Sequence, residues 1–195
     1  MSAKLTRKFY TQPALKVAKE ILGKYLVQKI NNKKFIGKIV ETEAYVNSKD
    51  RASHAFGNKI TKRNKAEYLA GGHIYIYLVY GMYWQLNITT GKANHPECIL
   101  IRALEPIKGF NKNLSEKEIK NLANGPGKLC RWMKLDKSFY GEDVVKSKKI
   151  WLEVKTKIKP SQIISKKRIG IDYAKEWADK FWRFYIKDNP FISKL

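Results

Sequence analysis

The sequence predicts an α+β fold: one compact domain built on a curved, mainly antiparallel sheet, with a protruding β-hairpin and helices around it. Strand-like and helix-like runs are mixed irregularly, without the regular alternation that winds a parallel sheet. Hydrophobic residues make up 44% of the chain and aromatics 12%, enough apolar surface to offset chain entropy. Across 195 residues there is no repeat, low-complexity segment or linker, so residues 1–195 are expected to form one domain.

The first element is an amphipathic helix over Thr11–Leu26, where Ala14, Val17, Ala18, Ile21, Leu22 and Tyr25 recur at helical spacing, with Thr11 as N-cap and Pro13 in the first turn. Leu26–Ile30 and Phe35–Tyr45 follow as a hairpin around the turn Asn31-Asn32-Lys33-Lys34, with Ile39, Glu41, Glu43 and Tyr45 on one face. A second hairpin pairs His73–Tyr80 with Tyr83–Thr89 across Gly81-Met82, where glycine at the first central position suits a type II′ turn. Cys98–Leu104 is a strand, Ser115–Ala123 a helix with a Ser115/Glu118 capping box, and Asn124-Gly125-Pro126-Gly127 a break before a helix over Lys128–Leu135. Beyond it, the apolar runs Ile150–Val154, Arg168–Ile171 and Trp182–Ile186 alternate with charged loops.

Forty basic residues against 17 acidic ones give a formal net charge of +23, which points to an acidic partner, nucleic acid ahead of an anionic membrane. Only seven of the forty are arginine, so part of the charge reflects a lysine-heavy composition. Lys4, Arg7, Lys8, Lys16 and Lys19 leave no apolar signal core in the first twenty residues, and the run Ile74–Trp84 is too short to span a bilayer. A cytoplasmic protein is expected, nucleoid-associated in a prokaryote and nuclear in a eukaryote. Cys98 and Cys130 lack zinc-type spacing and are expected as buried thiols; His54, His73 and His95 share no metal spacing either. Neither a metal nor a cofactor is expected.

Several residues could carry chemistry. Glu41 and Glu43 lie two apart beside Tyr45, and a carboxylate partly desolvated by aromatic walls suits general-base work. The same spacing fits two exposed acids on an edge strand paired with lysines, or a Mg²⁺ site of nuclease type. Tyr75, Tyr77, Tyr80, Tyr83 and Trp84 either stack on bases or pack the core, although Tyr80 and Tyr83 at the tip cannot both turn inward. Arg102, inside an apolar strand, needs an anion or a paired acid, for which Glu43 is a candidate. Asn87 faces solvent or, turned inward, reads a base edge.

Val40-Glu41-Thr42-Glu43-Ala44-Tyr45, Tyr75 to Tyr83, Asn87-Ile88, Ile101-Arg102-Ala103-Leu104-Glu105-Pro106, Asn124 to Cys130, Arg168-Ile169-Gly170 and Arg183-Phe184-Tyr185 together form a specific chain of motifs. From about Phe9 to Pro190 the sequence resembles the alkyladenine (3-methyladenine) DNA glycosylase family, departing at Lys62, where the family commonly has proline. The resemblance implies flipping of alkylated or deaminated purines out of double-stranded DNA, hydrolysis of the N-glycosidic bond and an intact abasic site, by a monomer without a membrane. It makes Glu43 the base that activates water, with Arg102 and the main-chain carbonyl of Ile169 positioning that water. Tyr45 on one side and His54 with Tyr77 on the other stack on the flipped base, Tyr80 fills the gap in the duplex, and Asn87 excludes normal guanine. Met82, Tyr83 and Arg63 complete the expected DNA contacts. The rival from another class is a non-catalytic duplex-bending protein with Tyr80 as its wedge.

Overall fold

The computed structural model describes residues 3–194. Helix α1 spans Arg7–Tyr10 and α2 spans Ala14–Glu20. The sheet is made of β1 (Tyr25–Ile30), β2 (Lys33–Tyr45), β3 (Ile74–Val79), β4 (Tyr83–Thr89), β5 (Cys98–Lys108), β6 (Ile150–Glu153), β7 (Ile163–Lys166) and β8 (Arg183–Ile186). Helices α3 (Glu116–Ala123) and α4 (Pro126–Trp132) lie between β5 and β6. Strand order is β3-β4-β5-β2-β1-β6, with β8 on β2 and β7 outside β8. Every one of these pairings is antiparallel, so the α+β expectation holds. Among the described residues no helix is long and apolar enough to cross a membrane.

Period-two alternation splits the sheet into two chemistries. Ile74, Ile76, Leu86, Ile88, Ile99, Ile101, Val40 and Ala44 enter the main core with Ala14, Val17 and Ala18 of α2. Tyr75, Tyr77, Asn87, Cys98, Leu100, Arg102, Glu41, Glu43 and Tyr45 take the other parity and stand apart from that core. Residues paired across an antiparallel sheet share a face, so Tyr75, Asn87, Leu100, Glu43 and Arg183 form one row over five strands. Along it Asn87 and Glu43 are two strands apart, about 10 Å.

Four local expectations are corrected. The first helix is shorter than its apolar pattern: Gly23, at φ +80°, ends the turn that follows α2. Thr11 is not its N-cap, its hydroxyl being 3.3 Å from the Arg7 carbonyl oxygen of α1. The Ala14 N–H is instead met by Glu97 Oε2 at 2.9 Å, a distant carboxylate at the helix start. The first hairpin closes over Asn31-Asn32 alone, since Ile30 pairs with Lys33, and Asn31 takes a positive φ of 52°. In the second hairpin Val79 pairs with Tyr83, leaving a three-residue loop, Tyr80-Gly81-Met82, rather than a two-residue one. The Met82 N–H donates to the Val79 carbonyl at 3.1 Å, and Tyr80 and Gly81 both have positive φ, 51° and 67°. That pattern is type I′ centred on Tyr80-Gly81, not type II′ on Gly81-Met82. The capping box at α3 forms as expected: Ser115 Oγ accepts from the Glu118 N–H, and Glu118 accepts from the Ser115 N–H. Cys98 and Cys130 are both free and buried.

Candidate active site

Glu41 and Glu43 sit where β2 is flanked by β5 on one edge and β8 on the other, so neither belongs to an edge strand. Both are fully buried and both are paired with arginine, which removes the reading as exposed acids paired with lysines. Their surroundings differ. Glu41 Oε1 accepts from Arg102 Nε at 3.1 Å, Arg183 Nη1 at 3.1 Å and Ser193 Oγ at 3.0 Å, while its Oε2 accepts from the Ser193 N–H at 2.6 Å. Four donors leave Glu41 little capacity for a metal or a water. Among the described residues no group of three or more His, Cys, Asp or Glu is arranged to hold a metal ion.

Glu43 keeps more capacity. Its Oε1 accepts from the Ile169 N–H at 2.8 Å and faces Arg102 Nη1 at 3.3 Å; its Oε2 accepts from the Tyr45 hydroxyl at 2.9 Å. One lone pair on Oε2 is left for a further donor. Arg102 thus bridges both acids, not Glu43 alone. Burial works against its charge, but Glu43 and Glu41 outweigh burial and hold its pKa above the ordinary guanidinium value. Burial, with Glu43 second, pushes the Tyr45 hydroxyl well above the usual phenol range, so Tyr45 remains a donor to the carboxylate. Ile169, whose carbonyl the resemblance gives to the water, also binds Glu43 directly through its N–H.

Asp50 and Asn64, which sequence reasoning missed, organise the loops around this acid. Arg168 grips buried Asp50 through two nitrogens, at 2.6 and 2.9 Å, and donates to the Ala44 and Trp177 carbonyls at 3.0 and 3.1 Å. This fixes the segment that presents the Ile169 N–H, and the guanidinium lies 4.8 Å from the centre of the Tyr45 ring, covering one of its faces. Asn64 Nδ2 donates to the His54 and Lys59 carbonyls at 2.9 and 2.8 Å, closing the loop that carries His54. A buried polar side chain in a loop marks such a tie only once its partners are seen.

The aromatic residues divide by position. His54 Nδ1 is 2.6 Å from the Tyr75 hydroxyl, and its ring meets Tyr77 edge-on at 4.7 Å. Although the His54 residue retains exposure, loss of water at its aromatic contacts, and secondly Arg63, push its pKa down to about 4, so it is neutral near pH 7. Tyr75 is buried and packs with Ala66 and Cys98, while Tyr45 and Tyr77 pack partly against that cluster. Trp84 packs on the main core. Tyr80 is 86% exposed and Met82 66%, the most protruding part of the hairpin. Tyr83 instead lies on Gly127 of α4, where a Cβ would come within 2.9 Å of its ring, so the glycine in Asn124-Gly125-Pro126-Gly127 makes room for it. Arg63 stacks on Tyr77 at 4.9 Å and donates to the Leu78 carbonyl at 3.2 Å. With Lys62, Tyr77, Leu78, Trp84 and Tyr140 it lines an open groove of about 380 Å³. A larger cavity of about 680 Å³, near Lys16 and Lys19 of α2, includes none of the expected site residues. Asn87 is turned inward and buried, with Nδ2 donating to the Tyr75 and Gln85 carbonyls at 3.1 and 3.2 Å.

A buried acid with spare acceptor capacity, braced by a guanidinium beside aromatic walls on a protein of charge +23, has the make-up of a hydrolytic enzyme working on nucleic acid. Comparison with known proteins gives the family. Residues 8–190 match the model described as Methylpurine-DNA glycosylase (MPG), and the chain belongs to that family. It is 45% identical to a Natranaerobius thermophilus protein named "Putative 3-methyladenine DNA glycosylase", covering 97% of this chain and 98% of the relative. Proteins with the same name from Clostridium novyi and Borreliella burgdorferi are 45% and 42% identical, covering 98% and 97% of this chain and 98% and 100% of theirs.

Proposed function

We propose that this protein is a monofunctional DNA glycosylase of base excision repair, which takes alkylated or deaminated purines out of double-stranded DNA and hydrolyses the N-glycosidic bond. The observation that carries the reading is Glu43, fully buried, with its Oε1 engaged by Ile169 and Arg102 and its Oε2 only partly satisfied. The remaining Oε2 lone pair takes the proton of a water held in the site as that water attacks the sugar carbon. The oxocarbenium-like transition state gains from a carboxylate beside the sugar, while Arg102 holds that carboxylate in place.

In this reading the flipped base lies between the uncovered face of Tyr45 and the His54–Tyr77 pair. A neutral His54 does not repel the positive charge that an alkylated purine brings, and the rings attract that charge. Asn87, about 10 Å from Glu43 along the sheet row, stands at the far edge of the base. Tyr80 enters the duplex where the nucleotide has left, with Met82 beside it. Arg63 and the groove around it meet the DNA backbone; Tyr83 supports the hairpin from Gly127 while keeping 39% of its surface open to contact. The protein acts as a single-domain monomer over residues 1–195, in the cytoplasm with the nucleoid. 3-Methyladenine, 7-methylguanine, hypoxanthine and etheno-adenine all belong to its substrate class.

Glu43→Gln tests the assignment, because it preserves shape but removes the basic oxygen. Lesion-duplex affinity should stay within a few-fold while single-turnover base release falls by about 10³ or more, counting loss of both proton acceptance and charge stabilisation. Release close to the wild-type rate would overturn the role of Glu43. Tight binding with no base release by the wild type on any of these lesions would favour the duplex-bending alternative.

A further inference from the structure

Behind the aromatic pocket lies a further buried acid that the proposed mechanism does not use. Glu67 belongs to the 3-10 turn Lys65–Tyr68, is 3% exposed and has no ion pair among the described residues. Its Oε1 is 3.7 Å from Cys98 Sγ, and its Oε2 is buried without a hydrogen-bond partner. The same sulfur is 3.9 Å from Asn87 Oδ1. Asn87 cannot turn round without loss, because both protons of its Nδ2 are committed to the Tyr75 and Gln85 carbonyls. One thiol proton therefore faces two oxygen acceptors and can satisfy only one at a time.

We propose that Glu67 is a positioning residue for base selection: through the Cys98 thiol, its carboxyl group sets whether Asn87 Oδ1 is tied down or free to accept a hydrogen bond from the bound base. This rests on the reading of Asn87 as the group at the base edge. When Glu67 carries a proton, it donates to Cys98 Sγ, the thiol donates to Asn87 Oδ1, and one of that oxygen's two lone pairs is taken. Loss of that proton to solvent leaves an acceptor carboxylate; the thiol turns to donate to it, and Asn87 Oδ1 loses its donor. An oxygen relieved of that donor is a stronger acceptor and is no longer oriented toward Cys98, so it receives the exocyclic amino group of a guanine-type base better than one held by the thiol. Ionisation of Glu67 thus relaxes the exclusion of 2-amino purines.

The surroundings support two states near neutrality. Burial pushes Glu67 up to about 8, and its bond with Cys98 only partly opposes this. Burial, then Glu67, keep the Cys98 thiol well above its ordinary range, with Asp50 and Glu97 adding to the effect, so the sulfur stays protonated. Facing Glu67 are Cys98 from β5, Tyr75 and Tyr77 from β3, Tyr140 from the segment after α4 and Tyr68 from its own turn; burial raises all four phenols. Arg63 acts on Tyr75 and Tyr77, and His54 is bonded to Tyr75.

The test measures single-turnover excision of 7-methylguanine and of hypoxanthine from otherwise identical duplexes between pH 6.5 and 9.5. It compares the wild type with Glu67→Gln, which cannot ionise. Ionisation of the lesions is common to both proteins and cancels between them. The 7-methylguanine to hypoxanthine ratio of the wild type, divided by that of Glu67→Gln, should rise about fivefold through pH 8, the value of roughly one neutral hydrogen bond. Cys98→Ala should remove the step and Cys98→Ser should restore it. The infrared S–H stretch of Cys98, identified by its loss in Cys98→Ala, should move over the same pH range in the wild type and stay fixed in Glu67→Gln. A wild-type ratio parallel to that of Glu67→Gln, or an S–H band that ignores pH, overturns the proposal. If Asn87→Ser leaves the ratio untouched, the placement of Asn87 at the base edge falls first; if Asn87→Ser shifts it and Glu67→Gln does not, only the relay is wrong.

Discussion

Three acids on one face of the sheet, or against it, have separate tasks because their donors differ. Glu41 is saturated by Arg102, Arg183 and Ser193, so its charge serves to hold two buried guanidiniums. Removing one partner of such a network leaves uncompensated charge. Glu41→Gln is expected to destabilise the fold by about 3 kcal/mol, lowering the melting temperature by on the order of 10 °C, while the folded fraction still releases base. Calorimetry combined with single-turnover assays below the melting transition checks this; a loss of release equal to that of Glu43→Gln would point to a two-carboxylate mechanism. Glu67 makes a different demand. Its pKa is raised from 4.5 to about 8, so between those limits the folded state holds a proton that the unfolded state has lost. Stability is then fully present below pH 4.5 and declines as pH rises through 8. Denaturant midpoints from pH 4.5 to 9 should show a steeper fall for the wild type than for Glu67→Gln; parallel curves would mean that Glu67 is ionised in the native protein.

The aromatic hairpin joins sequence, register and use. A two-residue turn at Gly81-Met82 would pair Tyr80 with Tyr83 and hence Tyr75 with Ile88, putting a pocket side chain and a core side chain on the same face. The observed pairing of Tyr75 with Asn87 and Ile74 with Ile88 keeps the faces apart, and it requires an odd loop with Gly81 at its centre. Tyr80 bears the consequence, a β-carbon at φ +51°, in a conformation costing a non-glycine residue of order 1 kcal/mol or more. Tyr80→Gly relieves that strain at some cost in chain entropy, so its melting temperature should not fall, yet affinity for lesion duplex should drop about tenfold or more as the wedge is lost. Unaltered lesion binding would remove Tyr80 from the interface. The alternation of β3 and β4 marked two faces but not the register, which the expected Gly81-Met82 turn put one residue off. On β2, Ile39 enters the main core beyond an irregularity between Ile39 and Glu41, although it was expected with Glu41, Glu43 and Tyr45, whose shared face was legible. The Asn31 turn was less so, because sliding that pairing by two residues preserves both faces and only turn chemistry decides it. The Asp50–Arg168 clamp joins residues 118 apart, and the Glu97 contact at the start of α2 crosses 83; local pattern carries no signal for such ties. Local pattern singles out nothing at Glu67 either; its place shows only in its burial against Cys98, 31 residues away.

Across the molecule the two basic residue types take different work. Arg7, Arg102, Arg168 and Arg183 are tied to Asp143, to Glu41 and Glu43, to Asp50 and to Glu41, as suits a planar guanidinium that meets carboxylates with several donors. The far more numerous lysines supply most of the +23 field. Field and chemistry should therefore separate under salt. Each phosphate neutralised contributes about 0.9 to the slope of log affinity against log salt, so if roughly six phosphates are contacted, binding should weaken by about 10³ between 50 and 200 mM. Base release from pre-formed complex at saturating protein should change little over that range, because Glu43 is closed off from solvent and its partners are a guanidinium, a peptide N–H and a phenol. None of those partners offers a neutral amine to attack the sugar, so borohydride added during turnover should trap no protein–DNA adduct and the abasic strand should stay intact until alkali is added. Trapping with strand nicking would replace the activated water by a lysine nucleophile. A release rate falling in step with affinity would place charged lysines at the reacting sugar rather than along the phosphates.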